Sequence, residues 1–256
     1  MLAELTVLAP NGVEEERGEG YVEYAIYGAE GELPELGEIE AAAGGGLVEV
    51  DATEVPDDWA DRWRDFHRPI LVGDRIYVRP TWEGPRDGAI DLVVDPGLAF
   101  GTGAHPTTRM CLELLLELAE RGEAAGPLTD LGTGSGLLAI AAAKLGWAPV
   151  TGYDHQQAAI EAAAANAAAN GVEIELVEAN LRTGLPPLAP TSVANLTASV
   201  LRDVAKQLAD PPRRLVLSGL LPNELDEIAG AFAGPGLAEA ERRVDGDWAA
   251  LLLRRP

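Results

Sequence analysis

The chain has 256 residues, of which 47% are apolar, and 42 acidic side chains stand against 19 basic ones, a formal net charge of −23. The apolar share supports a packed core and excludes a disordered chain, and the charge repels nucleic-acid backbones, so no direct nucleic-acid partner is expected. No apolar run reaches the roughly 18 residues of a membrane helix, no secretory signal opens the chain, and a single cysteine, Cys111, excludes an internal disulfide framework and a multi-cysteine metal site.

A cytoplasmic protein with no membrane partner, no metal site and a monomeric state is therefore the expectation. The acidic surface reads most plainly as a solvated face; its functional reading is attraction of a basic partner.

The first fifty residues read as a small β-rich module. Leu5 and Val7, and the apolar residues from Tyr21 to Tyr27, alternate with polar ones, the pattern of a half-buried strand. Asn11-Gly12 marks a turn. A short helix is expected over 34–43, ended by Gly44-Gly45-Gly46, and a strand over 47–55. This order predicts a small α+β domain over residues 1–55.

Residues 56–87 form a linker. Trp59, Trp63 and Phe66 recur at helical spacing, which predicts a helix with one aromatic face, stopped by His67-Arg68-Pro69. Ile76 to Arg79 then reads as a strand before Pro80.

Over residues 88–256 strands alternate with helices. Strands are expected at 90–94, 150–153, 174–177, 192–196 and 215–218, with a short apolar stub at 126–128. Helices are expected at 107–121, 137–145, 157–170, 198–209 and 222–232. Gly171 ends the third of these helices. Such alternation gives a mostly parallel sheet with helices on both faces. Two final strands, around 237–244 and 247–254, suggest an antiparallel hairpin at one edge.

The densest chemical signal is Asp130-Leu131-Gly132-Thr133-Gly134-Ser135-Gly136. Three alternate glycines let a loop turn tightly and approach a ligand, and the helix that follows favours negative charge at its start. Asp154 stands 22 positions after Gly132, where an acid grips a nucleoside ribose. The glycines alone do not exclude a dinucleotide, because Ala139 is an allowed variant of the third glycine counted from Gly134. Asp130 favours another ligand. A carboxylate there suits an ammonium group better than a pyrophosphate, and S-adenosylmethionine carries an ammonium and a sulfonium but no phosphate.

Two more constellations flank this loop. The run from Asp95 to Thr108 is glycine-rich and ends in Gly103-Ala104-His105-Pro106-Thr107-Thr108. Two threonines and a proline at a helix start explain only its last part. His105 is a candidate base or ligand, but a lone histidine reads first as a hydrogen-bonded loop residue. Asn195 ends a strand, on the rim where parallel sheets bind ligands, and its amide is suited to orienting an amine.

These residues resemble the PrmA family, methyltransferases that modify the eleventh protein of the large ribosomal subunit. The resemblance runs from about Asp57 to the C-terminus. Trp59, Trp63, His67-Arg68-Pro69 and Arg79-Pro80-Thr81-Trp82 are similar to the family's linker, and the run from Asp95 to Thr108 to its signature. It implies a class I methyltransferase-like (Rossmann-like) α/β fold with a mostly parallel seven-stranded sheet and a reversed last strand.

The resemblance further implies S-adenosylmethionine contacts at Thr108, Gly132, Asp154 and Asn195, with Asn195 also orienting the acceptor amine. The cofactor-binding set is expected to include Asp130 and Gly134 in the glycine loop and Phe100, Gly101 and Thr102 in the signature. A basic ribosomal large-subunit protein is the implied substrate, methylated on lysine or N-terminal amines.

Three positions depart from the family. Gln156 replaces a second acid after Asp154, Pro190-Thr191-Ser192 replaces an acid before a strand, and the N-terminal module is expected to be without the first strand and helix of the family's ferredoxin-like unit. Three alternatives stay open: a related methyltransferase acting on another protein lysine or a small molecule, a nucleotide-dependent oxidoreductase, and a binding module that kept the pocket without catalysis.

Overall fold

A computed structural model describes residues 14–18, 21–25, 68–95, 103 and 105–256. The chain divides into two compact units, Met1–Arg62 and Trp63–Pro256. In the first, β1 (Glu14–Gly18) and β2 (Tyr21–Ala25) form an antiparallel hairpin with Gly18 opposite Tyr21. The elements expected at 5–7, 34–43, 47–55 and 59–66 lie outside the described residues.

The second unit opens with a three-stranded sheet. β3 (Ile70–Val72) pairs antiparallel with β4 (Ile76–Arg79), which pairs parallel with β5 (Ile90–Val93). β5 was expected to begin the alternating pattern; it stands apart from the large sheet because side chains take its backbone groups. Asn170 accepts from the Val93 amide at 2.9 Å and donates to the Val93 carbonyl at 2.6 Å, and Lys144 Nζ donates to the Asp91 carbonyl at 2.6 Å. Burial lowers the Lys144 ammonium below its ordinary value.

Helix α1 (Pro106–Glu120) follows, then β6 (Leu128–Leu131), α2 (Leu137–Leu145), β7 (Val150–Asp154), α3 (Gln157–Asn170) and β8 (Glu175–Glu178). The chain continues through β9 (Thr191–Asn195), α4 (Ala198–Gln207), β10 (Arg214–Leu220), α5 (Leu225–Ala233), β11 (Ala238–Asp245) and β12 (Trp248–Arg254). Seven strands form one sheet in the order β11-β12-β10-β9-β6-β7-β8. The five from β10 to β8 run parallel, while β12 is antiparallel to both β10 and β11.

Both faces of this sheet are covered, so its central strands read as continuous apolar runs rather than alternating ones. Val216, Ala250 and Leu252 face a core shared with α1, α2 and the small sheet. Their neighbours Leu215, Leu217, Leu251 and Leu253 face a second core with α4 and α5. At the amino end of β6, Glu123 receives both Arg214 and Arg254, with Arg254 donating twice at 2.9 Å. Among the described residues no helix is long and apolar enough to cross a membrane.

Candidate functional site

β6 lies centrally and delivers the chain to the glycine loop at its carboxyl end. Gly132, Gly134 and Gly136 have φ of 72°, 52° and 79°, a region that penalises a Cβ. At Gly136 an added Cβ would stand 3.0 Å from Ala163 Cβ, so this glycine and a small residue on α3 let loop and helix touch. The Tyr153 carbonyl accepts both the Gly132 and Thr133 amides at 2.8 Å, which ties the loop to the end of β7.

Two carboxylates frame the loop differently. Asp154, nearly buried at the end of β7, accepts from the Gly134 amide at 3.0 Å and from the Gln156 amide at 3.1 Å. It is thus a clamp on the glycine loop as well as a wall of the cavity. Asp130 was read as part of the loop; it is instead the third residue of β6 and fully buried. Parallel pairing on both sides of β6 draws it into the sheet, opposite Gly152 and Val193. Its Oδ2 accepts from the Thr133 hydroxyl at 2.8 Å, and the Ala139 amide in the first turn of α2 also favours its ionised form, although Oδ1 makes no hydrogen bond of good geometry. Burial pushes its carboxyl up to about 7, against the Thr133 hydrogen bond that favours ionisation.

Asn195 ends β9 beside β6. Its Nδ2 donates to the Thr108 hydroxyl at 3.2 Å, which leaves the amide oxygen for another donor. Thr108 is buried in the first turn of α1. That helix is capped by His105, whose Nδ1 lies 2.7 Å from the Thr107 hydroxyl and accepts from the Thr107 amide at 3.4 Å. The His105 ring meets Trp248 edge-on at 4.7 Å, and burial lowers its basicity. Its observed role is therefore to start α1, which holds Thr108 against Asn195.

Thr108, Gly132, Gly134, Asp154 and Asn195 line one cavity of about 460 Å³, a size suited to a small-molecule ligand. Asp130 sits behind the loop and does not line it. Phe100, Gly101 and Thr102 lie outside the described residues. Among those residues no group of three or more His, Cys, Asp or Glu side chains could hold a metal ion.

The donor set fits S-adenosylmethionine. The wall offers acceptors, the Asp154 carboxylate and the Asn195 amide oxygen, and the buried Asp130 carboxyl lies behind the loop, an arrangement that suits an ammonium and opposes a pyrophosphate.

Sequence reasoning missed two parts of this site. Ala179, Asn180, Leu181 and Arg182, after β8, line the cavity; their signal was their place beyond a parallel strand's carboxyl end. The second is Asn166, buried on α3. It donates to the Ser135 carbonyl at 2.8 Å and accepts from the Asp95 amide at 3.0 Å. It joins the glycine loop to the segment that enters the 96–102 signature, and nothing in an Ala-rich helix marked it.

Residues 20–256 match the model of the family described as ribosomal protein L11 methyltransferase (PrmA). A ribosomal protein L11 methyltransferase of Geotalea uraniireducens is 39% identical over 221 residues, covering 80% of this chain and 70% of that protein. One of Heliobacterium modesticaldum is 39% identical over 206 residues, covering 78% and 64%. The chain thus spans about two thirds of the length of these relatives. A solved structure of a ribosomal protein L11 methylase from Lactobacillus delbrueckii subsp. bulgaricus superposes with a TM-score of 0.65 at 31% identity, covering 74% of this chain and 99% of that one. The chain belongs to the PrmA family of ribosomal protein L11 methyltransferases.

Proposed function

We propose that this protein transfers methyl groups from S-adenosylmethionine to lysine or N-terminal amines of ribosomal protein L11. The observation that carries this reading is the single cavity that joins the glycine loop, Asp154 and Asn195. When bound, S-adenosylmethionine supplies a methyl carbon on cationic sulfur, open to attack by a neutral amine.

The protein's own residues then have mainly to hold and align. Gly132 and Gly134, their amides tied to Tyr153 and Asp154, keep the loop close and side-chain-free along the cavity wall. On this reading Asp154 accepts from ribose hydroxyls, and Asp130 compensates an ammonium through the loop. The Asn195 amide oxygen orients the acceptor amine, with Thr108 holding the amide. His155, whose Nδ1 lies 3.3 Å from Asp154 Oδ1, is the imidazole of the cavity wall; on this reading it stays beside Asp154 and water takes the proton. The net charge of −23 favours encounter with a basic protein.

Labelled S-adenosylmethionine, incubated with purified L11 and separately with all large-subunit proteins, tests this. Label on L11 amines, located by mass spectrometry, is the expected result. Label on another protein would replace the acceptor. Binding of S-adenosylhomocysteine with no transfer would overturn the activity.

A further inference from the structure

Leu196 is enclosed by two glycines that share left-handed backbone. Gly132 lies against its side chain, where an added Cβ would stand 3.3 Å from Leu196 Cγ. Gly219 lies against its backbone. There an added Cβ would stand 2.8 Å from the Leu196 carbonyl carbon and 3.0 Å from its amide nitrogen, with the carbonyl oxygen closer still. Side-chain ends can rotate away from such a contact, but a peptide cannot do so without moving its neighbours.

Gly219 is also the extra residue of a bulge. Ser218 pairs with Ala250 and Leu220 with Ala249, so Gly219 has no partner on β12, and its φ is 83°. Ser218, the residue before it, is fixed twice: its hydroxyl donates to the Ala249 carbonyl at 3.1 Å, and its carbonyl accepts from the Leu196 amide at 3.0 Å. Ser218 is also the last residue of β10 in register with β9, opposite Asn195. Bulges of this kind re-aim the chain beside active sites.

We infer that Gly219 is a positioning residue for Asn195. The bare backbone at 219 lets the Leu196 peptide settle onto β10, which fixes the direction in which the chain leaves β9 and so the reach of the Asn195 amide toward Thr108 and the cavity. The inference rests on the role proposed above for Asn195. A methyl group at 219 would lift the Leu196 peptide and carry Asn195 with it, while the contacts of Asp154 with the glycine loop are made elsewhere. Alignment of the acceptor is lost, and cofactor binding, which also touches Leu196 and Asn195, weakens by a smaller factor.

A double-mutant cycle tests this with labelled S-adenosylmethionine and purified L11, alongside calorimetric binding of S-adenosylhomocysteine. Gly219→Ala should lower kcat at saturating substrates by about 30-fold or more, a larger factor than the weakening of S-adenosylhomocysteine, about tenfold at most. Combined with Asn195→Ala, it should cost no more than about threefold beyond Asn195→Ala alone. Leu253→Ala, a core change on β12, should lower Tm without this loss of kcat.

If Gly219→Ala does not fold, Gly219→Asn keeps the collision with Leu196 while tolerating left-handed backbone better. Multiplicative losses in the cycle, or a Gly219→Ala kcat no lower than that of Leu253→Ala, overturn the inference alone. An unchanged kcat in Asn195→Ala overturns the role of Asn195 and the inference with it.

Discussion

The Asp154 carboxylate accepts the Gly134 amide at 3.0 Å, so the acid that ends β7 holds the loop that follows β6. One side chain thereby sets the shape of the cavity and forms part of its wall. The pairing explains why an acid 22 residues after Gly132 matters before any ligand arrives.

Asp154→Ala should therefore act on affinity more than on turnover. Loss of the loop clamp and of a ribose acceptor should weaken S-adenosylhomocysteine by at least about tenfold, near 1.4 kcal/mol. Calorimetric titration measures this directly. An affinity equal to that of the parent protein would remove Asp154 from the site.

Asp130 should make cofactor binding depend on pH. Its folded carboxyl is raised from 3.8 to about 7, so the folded state holds a proton that the unfolded state releases between those values. Stability should fall as pH rises through that window, by up to about 4 kcal/mol. Affinity for S-adenosylhomocysteine should rise over the upper part of it, as the buried carboxylate ionises. Asp154 and Cys111 are its titratable neighbours; Asp154 helps to raise the Asp130 carboxyl, and burial and Asp130 both raise the Cys111 thiol. Asp130→Asn should flatten both profiles, read by calorimetry from pH 5 to 8. Profiles identical to those of the parent would exclude Asp130 as their source.

Asn195 and Thr108 should divide between turnover and fine alignment. Asn195→Ala should lower kcat by about 100-fold, and Thr108→Val, which keeps shape but removes the hydroxyl that accepts from Asn195, by about three- to tenfold. Steady-state kinetics with L11 would show it. Thr108→Val as impaired as Asn195→Ala would mean that the threonine touches the reactants itself.

Asn166→Leu should weaken the site from behind. It removes the hydrogen bonds of Asn166 to the Ser135 carbonyl and from the Asp95 amide, at a cost of roughly 2–4 kcal/mol. Asn170→Leu also releases β5 but leaves Ser135 untouched. Both variants should melt earlier, and Asn166→Leu alone should bind S-adenosylhomocysteine more weakly. Equal affinities in the two would limit Asn166 to a structural tie.

Far from the cavity, Glu123 should govern acid stability. Hydrogen bonds from Arg254 and Arg214 hold its carboxyl at about 2, well below 4.5. A depressed folded value means that stability is present above 4.5 and lost as pH falls toward 2. Glu123→Gln should cost about 1–2 kcal/mol near neutral pH and almost nothing at pH 2. Melting at both pH values checks it; an equal loss at both would assign the effect to packing.

Much of this was legible in the residues, where one local pattern sufficed. The spacing of Gly132, Gly134 and Gly136 demanded left-handed backbone, and their φ values lie there. The alternation of strands and helices required a sheet covered on both faces, and the two consecutive strands at the end gave the hairpin edge. Asp130 gave its residue type but not its depth, since pairing with β7 and β9 buries it.

What only the tertiary structure decided is the set of contacts between distant segments. β4 and β5 were legible as strands, but their pairing with β3 in a separate sheet was not, and Asn170 on α3 and Lys144 on α2 hold the backbone of β5 there. Asn166 joins residues 95 and 135, and Gly219 meets Leu196, only once the strands are ordered. Period and propensity act between neighbours along the chain and can be read from it. The closeness of two backbones remote in sequence depends on which strands pair, and that is a property of the whole sheet.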